Sequence, residues 1–216
     1  EAMIIDCHGH VSAPAELWAY KALILSHRGL HGKGKVKVTD DELRAAANKK
    51  EMAPVGHLDM LRENRTDLQL LSPRPFQMMH SQKPGRLVHW FIEECNNIIY
   101  RQTQLLKDTF VGVAGLPQVA GDPIENCLPE LERCIKKMNF KGCLLNPDPF
   151  ENSGQEAPPL GDRYWYPIYE KMVELEIPGM IHVSASCNPN FHATGAHYIN
   201  GDTTVFMQLI QGNLFK

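Results

Sequence analysis

The sequence predicts an α/β fold of short parallel strands that alternate with helices, and it favours a (β/α)8 TIM barrel. Strand and helix patterns alternate five times along the 216 residues. The predicted strands are nearly continuously apolar, as in parallel sheets that are covered on both faces. No Gly-x-Gly-x-x-Gly follows the first strand, which argues against a dinucleotide-binding doubly wound sheet. The candidate functional residues follow several strand ends, and a barrel gathers such residues around one centre.

The first predicted strand is the apolar run at residues 3–5, which leads into Asp6-Cys7-His8-Gly9-His10. Side chains two residues apart in a strand point to the same face, so His8 and His10 can converge on one point. Gly9 between them permits close approach of the backbone. Two imidazoles aimed at one point are typical of a transition-metal site. The alternative is a histidine pair in an ordinary loop, which the apolar strand directly before it disfavours.

The later elements are predicted from caps, turn residues and apolar spacing. A helical and loop excursion at about residues 11–65 precedes the second strand: Pro14 begins one helix, and Thr39 caps another that Pro54 interrupts. Between these helices, residues 28–38 are rich in glycine and lysine and predict an exposed loop. Further strands are predicted at 67–73, 110–117, 140–147 and 177–183, and further helices at 86–107, 123–138, 165–175 and 203–214.

Five strand–helix units are fewer than the eight of a complete barrel, which usually takes about 250 residues. No sixth strand pattern follows the last predicted helix. We therefore expect residues 1–216 to form a single, apparently incomplete barrel domain, the N-terminal portion of a longer protein. Such a domain would leave strand edges and one side of the core open.

Composition excludes several classes of partner. The net charge is −3 without a basic block, which argues against binding to nucleic acid or to an anionic membrane surface. No apolar run approaches the roughly 20 residues that cross a bilayer. The six cysteines include no Cys-x-x-Cys pair, which indicates reduced thiols in a cytoplasmic protein.

A third candidate ligand, His182, ends the fifth predicted strand as His8 ends the first. Three protein ligands and an open position are the catalytic arrangement for zinc, which lowers the pKa of a bound water to about 7. The alternative is a histidine with satisfied hydrogen bonds near a sheet edge. His80 and His89 are interpreted as surface or structural residues.

Polar residues near the other strand ends are candidates for substrate binding. Arg74 follows the second strand and suits a carboxylate, although it is equally well interpreted as a solvated arginine. Asn146 can donate to a substrate oxygen or cap the turn between two prolines. Ser184 and Asn188 can bind carboxylate oxygens, and Tyr198 can donate a proton or hold an oxyanion.

At this point the motifs indicate a family. Residues 5–10 resemble the first-strand metal motif of the amidohydrolase superfamily, whose members are metal-dependent barrels. Segments 72–74, 145–149, 162–171 and 180–198 are similar to one branch of it, the 4-oxalomesaconate hydratases. The resemblance covers essentially the whole chain and is strongest from Asn146 onward.

The resemblance implies a hydro-lyase of the protocatechuate and gallate breakdown pathways. Its substrate would be a tricarboxylate, 4-oxalomesaconate or 4-carboxy-2-hydroxymuconate, and its product 4-carboxy-4-hydroxy-2-oxoadipate. A zinc ion, with manganese or iron as alternatives, would be held by His8, His10 and His182. A fourth ligand, a glutamate, would lie beyond residue 216, so the chain as given is expected to lack full activity. The residues implied at the substrate are Arg74, Asn146 and Tyr198.

Several questions stay open on the sequence alone. A decarboxylase or a carbon–carbon hydrolase of the same superfamily would share the metal motif. A non-catalytic metal-binding fragment is an alternative from another class, motivated by the missing half of the barrel. A homo-oligomer is plausible for a barrel enzyme.

Overall fold

The computed structural model describes residues 2–50, 54–151, 153–184, 196–212 and 214–215. The strands in these ranges are β1 (Ile5–His10), β2 (Leu68–Ser72), β3 (Phe110–Gly112), β4 (Cys143–Leu145) and β5 (Gly179–Ile181). The α-helices are α1 (Ala15–Ser26), α2 (Asp40–Ala47), α3 (His57–Glu63), α4 (Arg86–Leu105), α5 (Leu128–Glu132), α6 (Tyr166–Glu174) and α7 (Ala196–Gln211). Short 3-10 turns occupy Pro75–Gln77, Ile124–Cys127 and Arg163–Trp165, and a π-helical turn at Arg133–Lys137 follows α5.

Consecutive strands are neighbours and all their pairings are parallel. β1, β2 and β3 form one sheet, and β4 and β5 form another. A parallel bridge between Ala114 and Cys143 joins the two sheets. There the Ala114 amide donates to the Gly142 carbonyl at 2.9 Å, and the Leu144 amide donates to the Ala114 carbonyl at 2.8 Å. The predicted alternation of parallel strands and helices is confirmed, and all five strands have their carboxyl ends at one edge.

The excursion between β1 and β2 contains three helices, where the sequence predicts a first helix and a second that is interrupted. Thr39 caps α2 as predicted: its hydroxyl accepts from the Glu42 amide at 3.2 Å, and the Glu42 carboxylate accepts from the Thr39 amide at 2.7 Å. Gly56 then packs against the end of α2, where a Cβ would lie 2.2 Å from the Asn48 carbonyl oxygen. Helix α3 begins directly afterwards, so the second predicted helix is two separate helices.

The remaining predicted boundaries shift by a few residues. The predicted helix at 123–138 is a 3-10 turn, the short helix α5 and a π-helical turn. The last helix, α7, begins at Ala196, seven residues before the predicted start. Strands β3, β4 and β5 are each three residues long: β3 lies at the start of its predicted run, and β4 and β5 lie near the centres of theirs.

The long helix α4 lies at the centre of the main hydrophobic core. It packs against α1, α2 and β3. Its buried side chains recur at the three- and four-residue spacing of one helix face. The largest of them, Phe91, is fully buried, as are Leu17 and Ile24 of α1.

The described cysteines are free thiols, which agrees with the prediction that they are reduced. Burial raises the pKa of the Cys143 thiol to about 12. Four of the five are buried core residues, and Cys7 is exposed. Cys187 lies outside the described residues. None of the described helices combines the length and the apolar character that crossing a membrane requires.

Two leucines of α1 test the packing of this core. Leu17 is fully buried, whereas Leu23 on the same helix is 57% exposed. We expect Leu17→Ala to lower the free energy of unfolding by about 2–5 kcal/mol, because it removes buried methyl groups and leaves a cavity. Leu23→Ala should change it by less than about 0.5 kcal/mol. Urea unfolding measures both values, and equal losses would contradict the assigned burial.

Candidate metal centre

The structure brings together the three histidines that the sequence singles out. His8 and His10 lie at the carboxyl end of β1, and His182 directly follows β5. The His8 Nε2 atom lies 3.3 Å from Nε2 of His10 and 3.1 Å from Nε2 of His182. The candidate ligand atoms of all three lie within 4.8 Å of one another. Among the described histidine, cysteine, aspartate and glutamate side chains, these three histidines form a group that could hold a metal ion.

Hydrogen bonds at the other ring nitrogens orient two of these imidazoles. The Nδ1 atom of His182 lies 2.7 Å from the Val183 carbonyl, which can only accept, so Nδ1 carries the proton. The Nδ1 atom of His10 lies 2.9 Å from the Ser72 hydroxyl, whose own proton goes to the Gly9 carbonyl at 3.1 Å. His10 therefore also donates from Nδ1, and the Nε2 lone pairs of both rings face the centre. Metal-bound histidines are oriented in this way.

The spacing of these nitrogens fits a divalent transition metal. Zinc–nitrogen bonds of about 2.0–2.1 Å at tetrahedral angles place neighbouring ligand nitrogens about 3.3 Å apart. The two Nε2 distances of 3.1 and 3.3 Å are close to that value. His8 has one Nε2 proton at most, so it can donate to only one of the two facing lone pairs. A cation at the centre satisfies all three nitrogens at once.

The surroundings of His10 and His182 favour their neutral forms. Burial, together with electrostatic repulsion from the neighbouring His182, His8 and Arg74, lowers the pKa of His10 to about 4. Burial also lowers the pKa of His182. Because only a neutral imidazole can bind a metal, these shifts favour metal binding at neutral pH.

Two of the predicted substrate-binding or catalytic residues lie beside the histidines. Arg74 lies two residues after the end of β2, is half-buried, and is close enough for its charge to act on His10. Tyr198, on α7, places its ring centroid 6.4 Å from that of His182. Ser184 is 3% exposed, and the described part of the chain gives its hydroxyl no hydrogen-bond partner. Asn188 lies outside the described residues. The substrate roles of these residues stay predictions.

Asn146 is fully buried and its side chain is engaged in local structure. Its amide nitrogen donates to His80 Nδ1 at 2.7 Å, and its amide oxygen accepts from the Asp148 backbone at 3.0 Å. The second bond is the turn cap that the sequence offers as the alternative to substrate binding. Gln118 holds the Asn146 backbone through both of its side-chain groups, at 2.8 and 2.9 Å. The predicted substrate contact of Asn146 stays a prediction.

The sequence predicts that His80 is either a surface residue or a structural residue. Because His80 is fully buried, the structural interpretation is right and the surface interpretation is wrong. His89 is half-buried on α4. Sequence reasoning did not find a role for Ser72, which orients His10. The signal that could have indicated this role is the position of Ser72 at the end of β2, where it pairs with His10 at the end of β1.

Comparison with known proteins now identifies the family. A family model for amidohydrolases matches residues 5–216. The chain belongs to the amidohydrolase family. This confirms the superfamily resemblance and the amidohydrolase-type α/β fold.

Two hydratases are similar to this amidohydrolase over nearly its whole length. It is 43% identical over 218 residues to the 2-keto-4-carboxy-3-hexenedioate hydratase of Sphingobium sp. strain SYK-6, covering 99% of this chain and 61% of the relative. The crystal structure of 4-oxalomesaconate hydratase from Rhodopseudomonas palustris has a TM-score of 0.81 and 41% identity, covering 99% of this chain and 59% of that one. The amidohydrolase chain thus spans about three fifths of the length of these relatives.

A decarboxylase shares the fold at lower identity. The dihydroxybenzoic acid decarboxylase from Polaromonas sp. JS666, solved with bound manganese and 2-nitroresorcinol, has a TM-score of 0.60. Its identity is 18%, and the match covers 91% of this chain and 54% of that one. This likeness shows the amidohydrolase fold alone.

Removal of one histidine tests the metal centre. We expect His182→Ala to weaken binding of a divalent metal by more than about 100-fold. Loss of a residue that only orients a metal ligand already lowers metal affinity about 10- to 100-fold. Metal titration of the full-length gene product measures the dissociation constant. His31→Ala, an exposed histidine in the loop after α1, is the matched control and should bind as the parent does. Unchanged binding by His182→Ala would refute the site.

Buried His80 predicts a pH dependence of stability. Burial lowers its pKa to about 4, whereas an unfolded histidine keeps its ordinary value of 6.5. Between these values the unfolded chain binds more protons, so stability is full above pH 6.5 and falls as the pH drops toward 4. The loss from this group at pH 5 is about 2 kcal/mol.

The measurement is urea unfolding at pH 7.5 and pH 5 with a metal chelator present, for the parent and for His80→Gln. We expect the variant to lose about 2 kcal/mol less between the two pH values. Equal pH dependence in both proteins would show that His80 is not buried as a neutral ring.

Proposed function

We propose that the full-length protein is a metal-dependent hydro-lyase that hydrates 4-oxalomesaconate, or its tautomer 4-carboxy-2-hydroxymuconate. The product would be 4-carboxy-4-hydroxy-2-oxoadipate. The observation that carries this proposal is identity above 40%, over 99% of this chain, to two proteins named as hydratases of such a substrate. The protocatechuate and gallate breakdown pathways are the predicted context.

The three histidines would hold a divalent ion through Nε2. When bound, such an ion supplies Lewis acidity and lowers the pKa of a bound water to about 7. Zinc suits three nitrogen ligands with an open position, and manganese and iron accept the same ligand types. The fourth, glutamate ligand that the resemblance implies would come from the part of the protein beyond residue 216.

The reaction places specific demands on the side chains around the centre. Hydroxide adds to the carbon β to the keto group, the double-bond electrons move toward the keto oxygen, and a proton is delivered to the α carbon. The developing enolate oxygen needs a donor, and the three carboxylates need cationic or polar partners. We assign the donor role to Tyr198 and carboxylate binding to Arg74, with Ser184, Asn146 and Asn188 as further polar contacts.

We also propose that residues 1–216 are a single domain, the N-terminal part of an eight-stranded barrel. β1 and β5 lie at opposite ends of the strand order, and four strand spacings of about 4.8 Å would separate them by about 19 Å in a flat sheet. The Nε2 atoms of His8 and His182 are nevertheless 3.1 Å apart, which requires a strongly curled sheet. Exposed apolar residues support an incomplete enclosure: Met3, Ile4 and Ile5 at β1, and Ile199, Phe206 and Ile210 on α7.

The alternatives from the same superfamily are a decarboxylase and a carbon–carbon hydrolase, which would use the same centre. The decarboxylases compared with this chain match it at low identity or over a minor part of it. The alternative from another class is a non-catalytic metal-binding fragment. A cytoplasmic location and a homo-oligomer stay predictions.

Product analysis of the full-length gene product decides between these functions. We expect loss of the conjugated ultraviolet absorbance of 4-oxalomesaconate and a product heavier by one water in the mass spectrum. Release of carbon dioxide would assign a decarboxylase. Stoichiometric metal without turnover would remove the hydratase proposal and leave the metal site.

Tyr198→Phe tests the proposed donor to the enolate oxygen. We expect kcat to fall about 10²- to 10⁴-fold, the usual contribution of a positioned acid or base. Metal affinity should stay unchanged, because the proposed ligands are intact. Tyr164→Phe is the control: its hydroxyl donates to the Asp122 carbonyl, away from the histidines. A kcat for Tyr198→Phe equal to that of this control would remove Tyr198 from the mechanism.

A further inference from the structure

A chain of hydrogen bonds runs from the base of the histidine motif into the helical excursion. Gln69 Nε2 donates to an Asp6 carboxylate oxygen at 2.6 Å. Gln69 Oε1 lies 2.6 Å from His57 Nε2, and His57 Nδ1 lies 3.1 Å from the Ser12 hydroxyl. The other Asp6 oxygen accepts from the backbone amide of His8 at 3.0 Å. The chain therefore ends on the backbone of a candidate metal ligand.

Chemistry fixes the direction of the bonds that link Asp6, Gln69 and His57. A carboxylate only accepts, so the Gln69 amide nitrogen faces Asp6 and its oxygen faces His57. His57 must then donate from Nε2 to the Gln69 amide oxygen. Neither of these two links can be reversed without loss of the other.

These bonds lie at a β-bulge in β1. Asp6 is opposite Gln69 and Gly9 is opposite Leu71, so three steps along β1 match two steps along β2. In a regular strand Asp6, His8 and His10 would all point to one face. The extra residue turns Asp6 toward Gln69 while His10 meets Ser72 on the other face. A bulge of this kind re-aims side chains at a functional site.

The glycine of the histidine motif belongs to the same arrangement. A Cβ at Gly9 would lie 2.4 Å from Cδ of the Gln69 side chain. Gln69 is only 5% exposed, so it has no room to withdraw from that contact into solvent. The bulge, the glycine and the glutamine therefore form one packed unit.

We propose that Gln69 is a positioning residue for the metal centre: by holding Asp6 across the bulge, it fixes the direction in which His8 points. This inference rests on the proposed metal function of the three histidines. Gln69 itself touches neither metal nor substrate. Its effect passes through the Asp6 carboxylate and the His8 backbone amide.

The test is a manganese titration of the full-length gene product, followed by electron paramagnetic resonance of free Mn²⁺. Gln69→Leu fills a similar volume and removes both side-chain hydrogen bonds. We expect its Mn²⁺ dissociation constant to rise about 10- to 100-fold, the usual cost of losing a residue that orients a metal ligand. Thermal unfolding of each metal-free variant reports its stability separately.

The matched control is Gln102→Leu. Gln102 is 1% exposed and donates to the carbonyls of Ser12 and Leu43, so its loss also removes two buried hydrogen bonds. It makes no bond to Asp6 or His8, and we expect its Mn²⁺ affinity to match the parent. If both variants lose similar stability and both keep the parent affinity, Gln69 is merely structural and the proposal is overturned.

A second variant keeps the test decisive if Gln69→Leu does not fold. Gln69→Glu has the same shape and still accepts from His57, but it places a second carboxylate against Asp6. The proposal expects weaker Mn²⁺ binding here too, and parent-like binding would overturn it. A parent protein that binds neither Mn²⁺ nor Zn²⁺ would refute the metal function itself. A parent that binds Mn²⁺ with unaffected Gln69 variants would refute only the present inference.

Discussion

The structure depends on the close approach of the imidazole nitrogens of His8 and His10, in β1, to that of His182, directly after β5. The Nδ1 atoms of His10 and His182 are both committed as donors, so both rings turn a lone pair toward the same point as His8. His8 can donate to only one of these two nitrogens, so a cation at the centre would satisfy all three at once. The sheet must curl far enough to bring them together.

Strand β1 meets two demands that strict alternation of side chains cannot meet together. His8 and His10 must face the centre, whereas Asp6, at the same even spacing, must face Gln69 and the helical excursion. The bulge between Asp6 and Gly9 allows both, because it changes which residues share a face. The excursion at about residues 11–65 is thus more than a connection, since its α3 contributes His57 to the support behind β1.

Features that depend on residues close together in the sequence can be predicted from it. Apolar runs predict the five strands, Thr39 predicts its capping box, and the His-x-His spacing predicts a shared target. The support of the site is not readable in this way. Ser72 and Gln69 lie more than 60 positions from their partners His10 and Asp6, so their roles follow from strand register, and the bulge shifts that register by one residue.

A metal centre of this type does not by itself select a reaction, since hydration and decarboxylation can both begin with a polarised substrate oxygen. Selection must come from the charges and donors around it. Arg74 adds a positive charge beside His10, and a bound divalent ion would add two more. Positive charges at such close range repel one another in a half-buried site. A substrate with three carboxylates offsets that repulsion, whereas a monocarboxylate offsets only part of it. On the proposed function, these charges are the reason to expect the tricarboxylate of the hydratase rather than the benzoate of the decarboxylase.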